Sequence, residues 1–188
     1  QIKYIISNYS EMDHSGCLPE VIDLIKPEKV FASAVGVRTL QEIFADDRCS
    51  AVKLTPSHLR IVAELDLGTR GSLRVLVVGG EAFPTALAKK IAARFGPSVR
   101  LVNEYGPTEA VVGCVAHTWS PSDDDAVNVA IGLAIPGTPL TIETAWGAEQ
   151  ARGFSGELVV GGPAVAQGYL GDPRETSHKF VPSDDGRR

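Results

Sequence analysis

Between residues 2 and 102 a short apolar run is followed, again and again, by a stretch whose apolar residues fall on one helical face. That alternation leaves few folds open. Residues 2–7, 30–32, 50–54, 73–78 and 99–102 have strand length and composition. Between them, residues 18–25, 37–44, 56–65 and 84–95 read as helices. Leu18-Pro19 opens the first and Pro27 ends it, Ser57 is the expected N-cap of the third, and Gly96-Pro97 stops the fourth. Strands alternating with helices predict a parallel sheet covered by helices, with ligands at the carboxyl ends of the strands.

After Ala110 the texture changes. Residues 111–116, 127–131, 140–144 and 156–160 are short β segments divided by Pro and Gly, and no helix is expected among them. The predicted fold class is therefore α/β: a layered, mostly parallel sheet with flanking helices, followed by a smaller, mostly antiparallel β lobe. The chain opens inside a strand without Met and ends in a polar stretch, so it is expected to continue in a longer protein.

Bulk properties remove some functions. The formal charge of −5 supplies no basic footprint, so nucleic acid is not an expected partner. Cys17, Cys49 and Cys114 are far apart, without metal-knuckle spacing, which points to a reducing, cytoplasmic compartment. No apolar run approaches the roughly 20 residues that cross a bilayer, so no membrane partner is expected.

Two loop tips carry the chemistry. Gly79-Gly80-Glu81 follows one predicted strand, and Asn103-Glu104-Tyr105-Gly106-Pro107-Thr108-Glu109 follows another. Gly106-Pro107 forces a turn that gathers an aromatic face, a hydroxyl and a carboxylate. Those three groups suit a nucleotide: stacking for a base, a hydrogen bond for a phosphate oxygen, and a ligand for Mg2+.

From about residue 44 onward the sequence resembles the adenylation domains of non-ribosomal peptide synthetases, within the adenylate-forming ligases. The resemblance rests on Leu54-Thr-Pro-Ser-His-Leu59, on the 103–109 heptapeptide, and on residues 156–170 with Thr176 and Phe180. Gln167 stands where the family has Arg. The resemblance implies ATP and Mg2+ as cofactors, an α/β core over 44–116 and a β-rich lobe over 117–188. It also implies that Tyr105 stacks on adenine, Asn103 faces its amino edge, Gly80 and Glu81 border the nucleotide, Thr108 touches phosphate, and Glu109 holds Mg2+.

By the same resemblance, Lys53, Val77, Gly79, Glu104, Val112 and Gly113 line the amino-acid pocket. The set is similar to pockets that select asparagine, with aspartate the neighbouring choice. A carboxamide can accept from Lys53 and donate to Glu104, whereas a carboxylate meets repulsion from Glu104; the alternative is that the two side chains simply pair. The family further implies a peptidyl carrier protein as partner. The Ser/Thr/Gly-rich phosphate loop, the Tyr-Arg-Thr-Gly-Asp segment and the subdomain with the catalytic lysine are missing from these 188 residues, so the stretch is expected to be inactive alone.

Residues 1–43 resemble a flavodiiron protein segment instead, through Glu11, Asp13 and His14 and the helix and strand that follow. That implies a chimera, with a chimeric or designed scaffold without activity, or a partial iron-binding redox fragment, as the alternatives. A working di-iron site would need several more His and Asp ligands.

Overall fold

The computed structural model describes residues 4–7, 29–32, 34–46, 49–67, 72–111, 113–123 and 126–182. The predicted helix over 18–25 and the iron candidates Glu11, Asp13 and His14 lie outside them. Two short strands, β1 (Tyr4–Ser7) and β2 (Lys29–Ala32), pair in parallel, and helix α1 (Ala34–Ala45) follows.

The main sheet has five strands in the order β3 (Ala51–Leu54), β4 (Val75–Gly79), β5 (Arg100–Tyr105), β6 (Val115–Thr118) and β7 (Leu133–Ala134). The first three run parallel, joined by α2 (Pro56–Glu64) and α3 (Thr85–Phe95); β6 and β7 add antiparallel. A smaller antiparallel pair, β8 (Leu140–Glu143) with β9 (Glu157–Val160), forms the second lobe.

Alternation along the strands sorts the sheet into two unlike faces. Leu76, Val78 and Leu101 point into the core, where Leu59 and Val62 of α2 and Ile91 of α3 meet them at 2% exposure or less. Burying a side chain of this kind contributes roughly 1.5–3 kcal/mol, so this face holds the α/β layers together. On the other face Lys53 is exposed, and Val77, Val102, Glu104 and Ala116 are half-buried. Among the described residues no helix is long and apolar enough to cross a membrane.

Four local expectations are corrected. The N-cap of α2 is Thr55, not Ser57: its hydroxyl accepts from the His58 N–H at 3.3 Å, because Pro56 occupies the first helical turn and leaves the residue before it to cap. The strand expected over 111–116 begins only at Val115, after the turn that follows β5. Residues 127–131 form no strand beyond a bridge between Asn128 and Pro84; their backbone is taken by Phe83, Thr85 and Asn103 instead. A helix, α4 (Pro173–Lys179), stands where none was expected; Asp172 caps it through Glu175 N–H at 2.9 Å, and Pro173 sits in its first turn.

Candidate functional site

The register of the main sheet places the two predicted loop tips side by side. Gly79, the last residue of β4, pairs with Glu104 of β5. A methyl group on Gly79 would lie 2.7 Å from the Glu104 carbonyl oxygen, so the strands approach too closely there for any other residue. Beyond this row the two tips leave the sheet together, Gly80 at a φ of 86°.

Glu104 is the centre of a small constellation. Lys53 on β3 reaches past β4 to donate to Glu104 Oε2, and both groups remain accessible to solvent, at 48% and 23% side-chain exposure. Gly113 packs over the same carboxylate: an added Cβ would fall 2.1 Å from Oε1 and 2.5 Å from the carboxyl carbon. Val77 shares the face, two residues before Gly79. Val112 lies outside the described residues. Of the six expected pocket residues, Lys53, Val77, Gly79, Glu104 and Gly113 are therefore gathered on one face of the sheet, over two neighbouring rows of β3 to β5.

Asn103 points the other way and is buried. Its amide donates to the carbonyls of Val129 at 3.0 Å and Ala130 at 2.9 Å, which spends both hydrogens on holding the 129–130 segment against the sheet. Asn103→Ala would leave both carbonyls short of a donor, and we expect it to lower the stability of the fold by about 2 kcal/mol in urea unfolding. An unchanged midpoint would show that water replaces the amide.

Tyr105 closes β5, and its carbonyl accepts from the Cys114 N–H at 2.9 Å. Burial pushes the Cys114 thiol up from its ordinary range, against a lowering backbone bond, with the Glu104 charge pushing the same way as burial. Glu81 accepts from Ser57 N–H at 3.2 Å and Ser57 Oγ at 2.8 Å, so the Gly-Gly-Glu tip is tied to the start of α2. Thr108 is exposed in the turn.

Glu109 receives a hydrogen bond on Oε1 from the Tyr169 hydroxyl. That bond, with a smaller contribution from its own backbone and from Lys179, holds the Glu109 carboxyl below its usual range; in return it pushes the Tyr169 phenol up to about 12. Tyr169 lies in the 156–170 stretch that carries the family resemblance, and residue type and spacing assign it no role. The sequence offers only a tyrosine in a Gly-Tyr-Leu run; the return of that segment to the turn at Glu109 is seen in the structure.

A family model described as AMP-binding enzyme matches residues 27–170. The chain belongs to that family. Within it, this is an adenylation-domain stretch of the non-ribosomal peptide synthetase type. Bacitracin synthase 3 of Bacillus licheniformis is 41% identical over 148 residues, which are 79% of this chain and 2% of that protein. Novobiocin biosynthesis protein H of Streptomyces niveus is 39% identical over 79% of this chain and 24% of its own length. The 188 residues thus span a small part of such relatives.

The solved structure of holo-PA1221, a synthetase protein containing adenylation and PCP domains, superposes with a TM-score of 0.69 at 26% identity, covering 94% of this chain and 31% of that one. The synthetase FmoA3, in a form bound to α-methyl-L-serine-AMP, shares the fold with a TM-score of 0.73 at 22% identity, over 99% of this chain and 22% of its own. The adenylation-family match begins at residue 27, inside the segment that resembled a flavodiiron protein, and the chimera has no support in these relationships.

Proposed function

We propose that these residues form the adenine and amino-acid half of an aminoacyl-adenylate site in a non-ribosomal peptide synthetase, with asparagine as the amino acid. The reading rests on the cluster of Lys53, Gly79, Glu104 and Gly113, which sets a cation and a carboxylate beside two glycines. An ion pair this exposed is worth under about 1 kcal/mol, so a carboxamide can enter between its partners, its oxygen accepting from Lys53 and its NH2 donating to Glu104. Aspartate would bring a second negative charge against Glu104 and bind less well.

On the nucleotide side, Tyr105 offers its ring to adenine, and the Asn103 side-chain oxygen Oδ1, which the bonds to residues 129 and 130 do not use, accepts from the adenine amino group. Gly80 and Glu81 border the same nucleotide. Thr108 donates to a phosphate oxygen from the exposed turn. A single carboxylate, Glu109, fits Mg2+, a small hard cation that keeps water and substrate phosphates for most of its ligands. When bound, the ion neutralises charge that grows on the phosphoryl oxygens. Glu109 holds it in place, while Lys53 and Glu104 hold the amino acid so that its carboxylate attacks the α-phosphorus in line and pyrophosphate leaves. The partner that accepts the acyl group is a peptidyl carrier protein, and the 188 residues alone do not turn over.

ATP–pyrophosphate exchange by the complete domain, run with each proteinogenic amino acid, tests the reading. Asparagine should give the strongest signal and aspartate a weaker one, and Lys53→Ala should raise the KM for asparagine about tenfold, as expected for a hydrogen bond to a charged group. Selective exchange with a large apolar amino acid would end the pocket assignment. Exchange by the 188 residues alone would overturn the claim that they do not turn over.

A further inference from the structure

We propose that Tyr169 is a positioning residue for the magnesium-binding carboxylate of Glu109, an inference that rests on the reading of Glu109 given above. The main chain around Glu109 is clamped from the C-terminal side. Ala166 N–H donates to the Glu109 carbonyl at 2.8 Å, Val111 N–H donates to Ala164 O at 2.9 Å, and Ala110 bridges Val165. Three residues beyond that clamp, the Tyr169 hydroxyl meets Glu109 Oε1.

Tyr169 is itself aimed by its surroundings. Its ring stands edge-on to Phe180, centroids 5.4 Å apart at 77°. Its N–H donates to Thr176 Oγ1 at 2.9 Å, and that hydroxyl donates on to Asp172 O at 2.7 Å, which fixes the residue to the first turn of α4. Gly168 has a φ of 138°, and a Cβ there would fall 2.5 Å from Thr176 Cγ2, so the approach of the segment to the helix depends on that glycine.

The physical consequence concerns preorganisation. A free glutamate side chain has three rotatable bonds and loses that freedom when it binds a cation. A phenol that already holds Oε1 removes part of that cost and leaves the carboxylate charged. Outer partners of metal ligands typically contribute 10–100-fold to metal affinity. Tyr169 is placed to make such a contribution without touching the metal.

The test uses the complete adenylation domain, with Mn2+ as the probe ion. Mn2+ binding in the presence of ATP is read by electron paramagnetic resonance for the wild type, Tyr169→Phe and Glu109→Gln. Tyr169→Phe keeps the ring against Phe180 and should weaken Mn2+ binding about tenfold, with ATP affinity in EDTA and the KM for asparagine unchanged. If Glu109→Gln weakens the metal and Tyr169→Phe does not, the positioning role is wrong while the reading of Glu109 stands. If neither changes it, that reading itself fails. Equal losses of metal-free ATP binding and Mn2+ binding in Tyr169→Phe would make the residue merely structural and overturn the proposal. A second measurement guards against misfolding: with Tyr169→3-fluorotyrosine, the fluorine resonance should broaden strongly on adding Mn2+ with ATP, and a line that stays sharp would refute proximity to the ion.

Discussion

In the complete domain, Glu109→Gln lowers magnesium-dependent ATP–pyrophosphate exchange by about two orders of magnitude. The substitution keeps the size and the hydrogen-bond acceptor that Tyr169 uses, and it removes only the charge. Groups aimed at charge that develops in a transition state contribute about 10²–10³ in rate, and a carboxylate that fixes the neutralising ion belongs among them. The loss should fall on kcat, and raising the Mg2+ concentration should recover part of it. The KM for asparagine should stay close to wild type, because Glu104 and Lys53 are untouched. Wild-type kcat in this variant would remove Glu109 from the site.

The second large effect is expected at Gly113. Gly113→Val places a branched side chain where a Cβ alone already lies 2.1 Å from Glu104 Oε1. Glu104 cannot move aside without releasing Lys53, so either the ion pair opens or the loop carrying residue 113 is pushed off the sheet. Overpacking of this kind costs about 1–3 kcal/mol, and loss of the hydrogen-bonding geometry for the carboxamide adds to it. Together these predict a KM for asparagine about 100-fold higher, with the thermal midpoint within a few degrees of wild type. A variant that still activates asparagine at the original KM would show that the pocket lies elsewhere.

The α/β half of this fold could be read from residue types because each boundary has a local cause. Pro84 and Gly96 bracket α3, and the apolar runs of β3 to β5 are continuous, as strands buried under helices require. The β half was harder for an equally physical reason. Val127 and Ile131 have strand-forming types, but the polar groups between them are claimed by the Asn103 side chain and by the loop around Phe83, contacts that span about the length of a whole βα unit. Helix α4 is only seven residues long, too short for periodicity to register, although Asp172-Pro173 carried its start signal.

The site divides in the same way. That the two loop tips lie at the carboxyl ends of strands is legible in the alternation of strands and helices; that Gly79 is in register with Glu104 is not, because adjacency of parallel strands leaves register open. Residue types alone leave open whether Lys53 and Glu104 pair with each other or with a ligand, and the side chains do meet. What no spacing rule revealed was the link between Glu109 and Tyr169, 60 positions apart in sequence. The same holds for Glu81, expected at the nucleotide, whose carboxylate is engaged by Ser57.

The convergence of Lys53, Gly79 and Glu104 from three adjacent strands also bears on the recombination of synthetases. A graft that moves residues 51–118 as one block carries its strand register, its two glycines and its charged pair with it. A crossover between residues 79 and 104 separates Glu104 from Gly79, and the donor and recipient halves must then agree on the closest backbone approach in the sheet. Junctions between residues 118 and 169 spare the proposed amino-acid-binding residues, but they bring Glu109 and the Tyr169 phenol from different parents, so on the proposed reading such hybrids should keep their amino-acid preference and differ in their demand for metal.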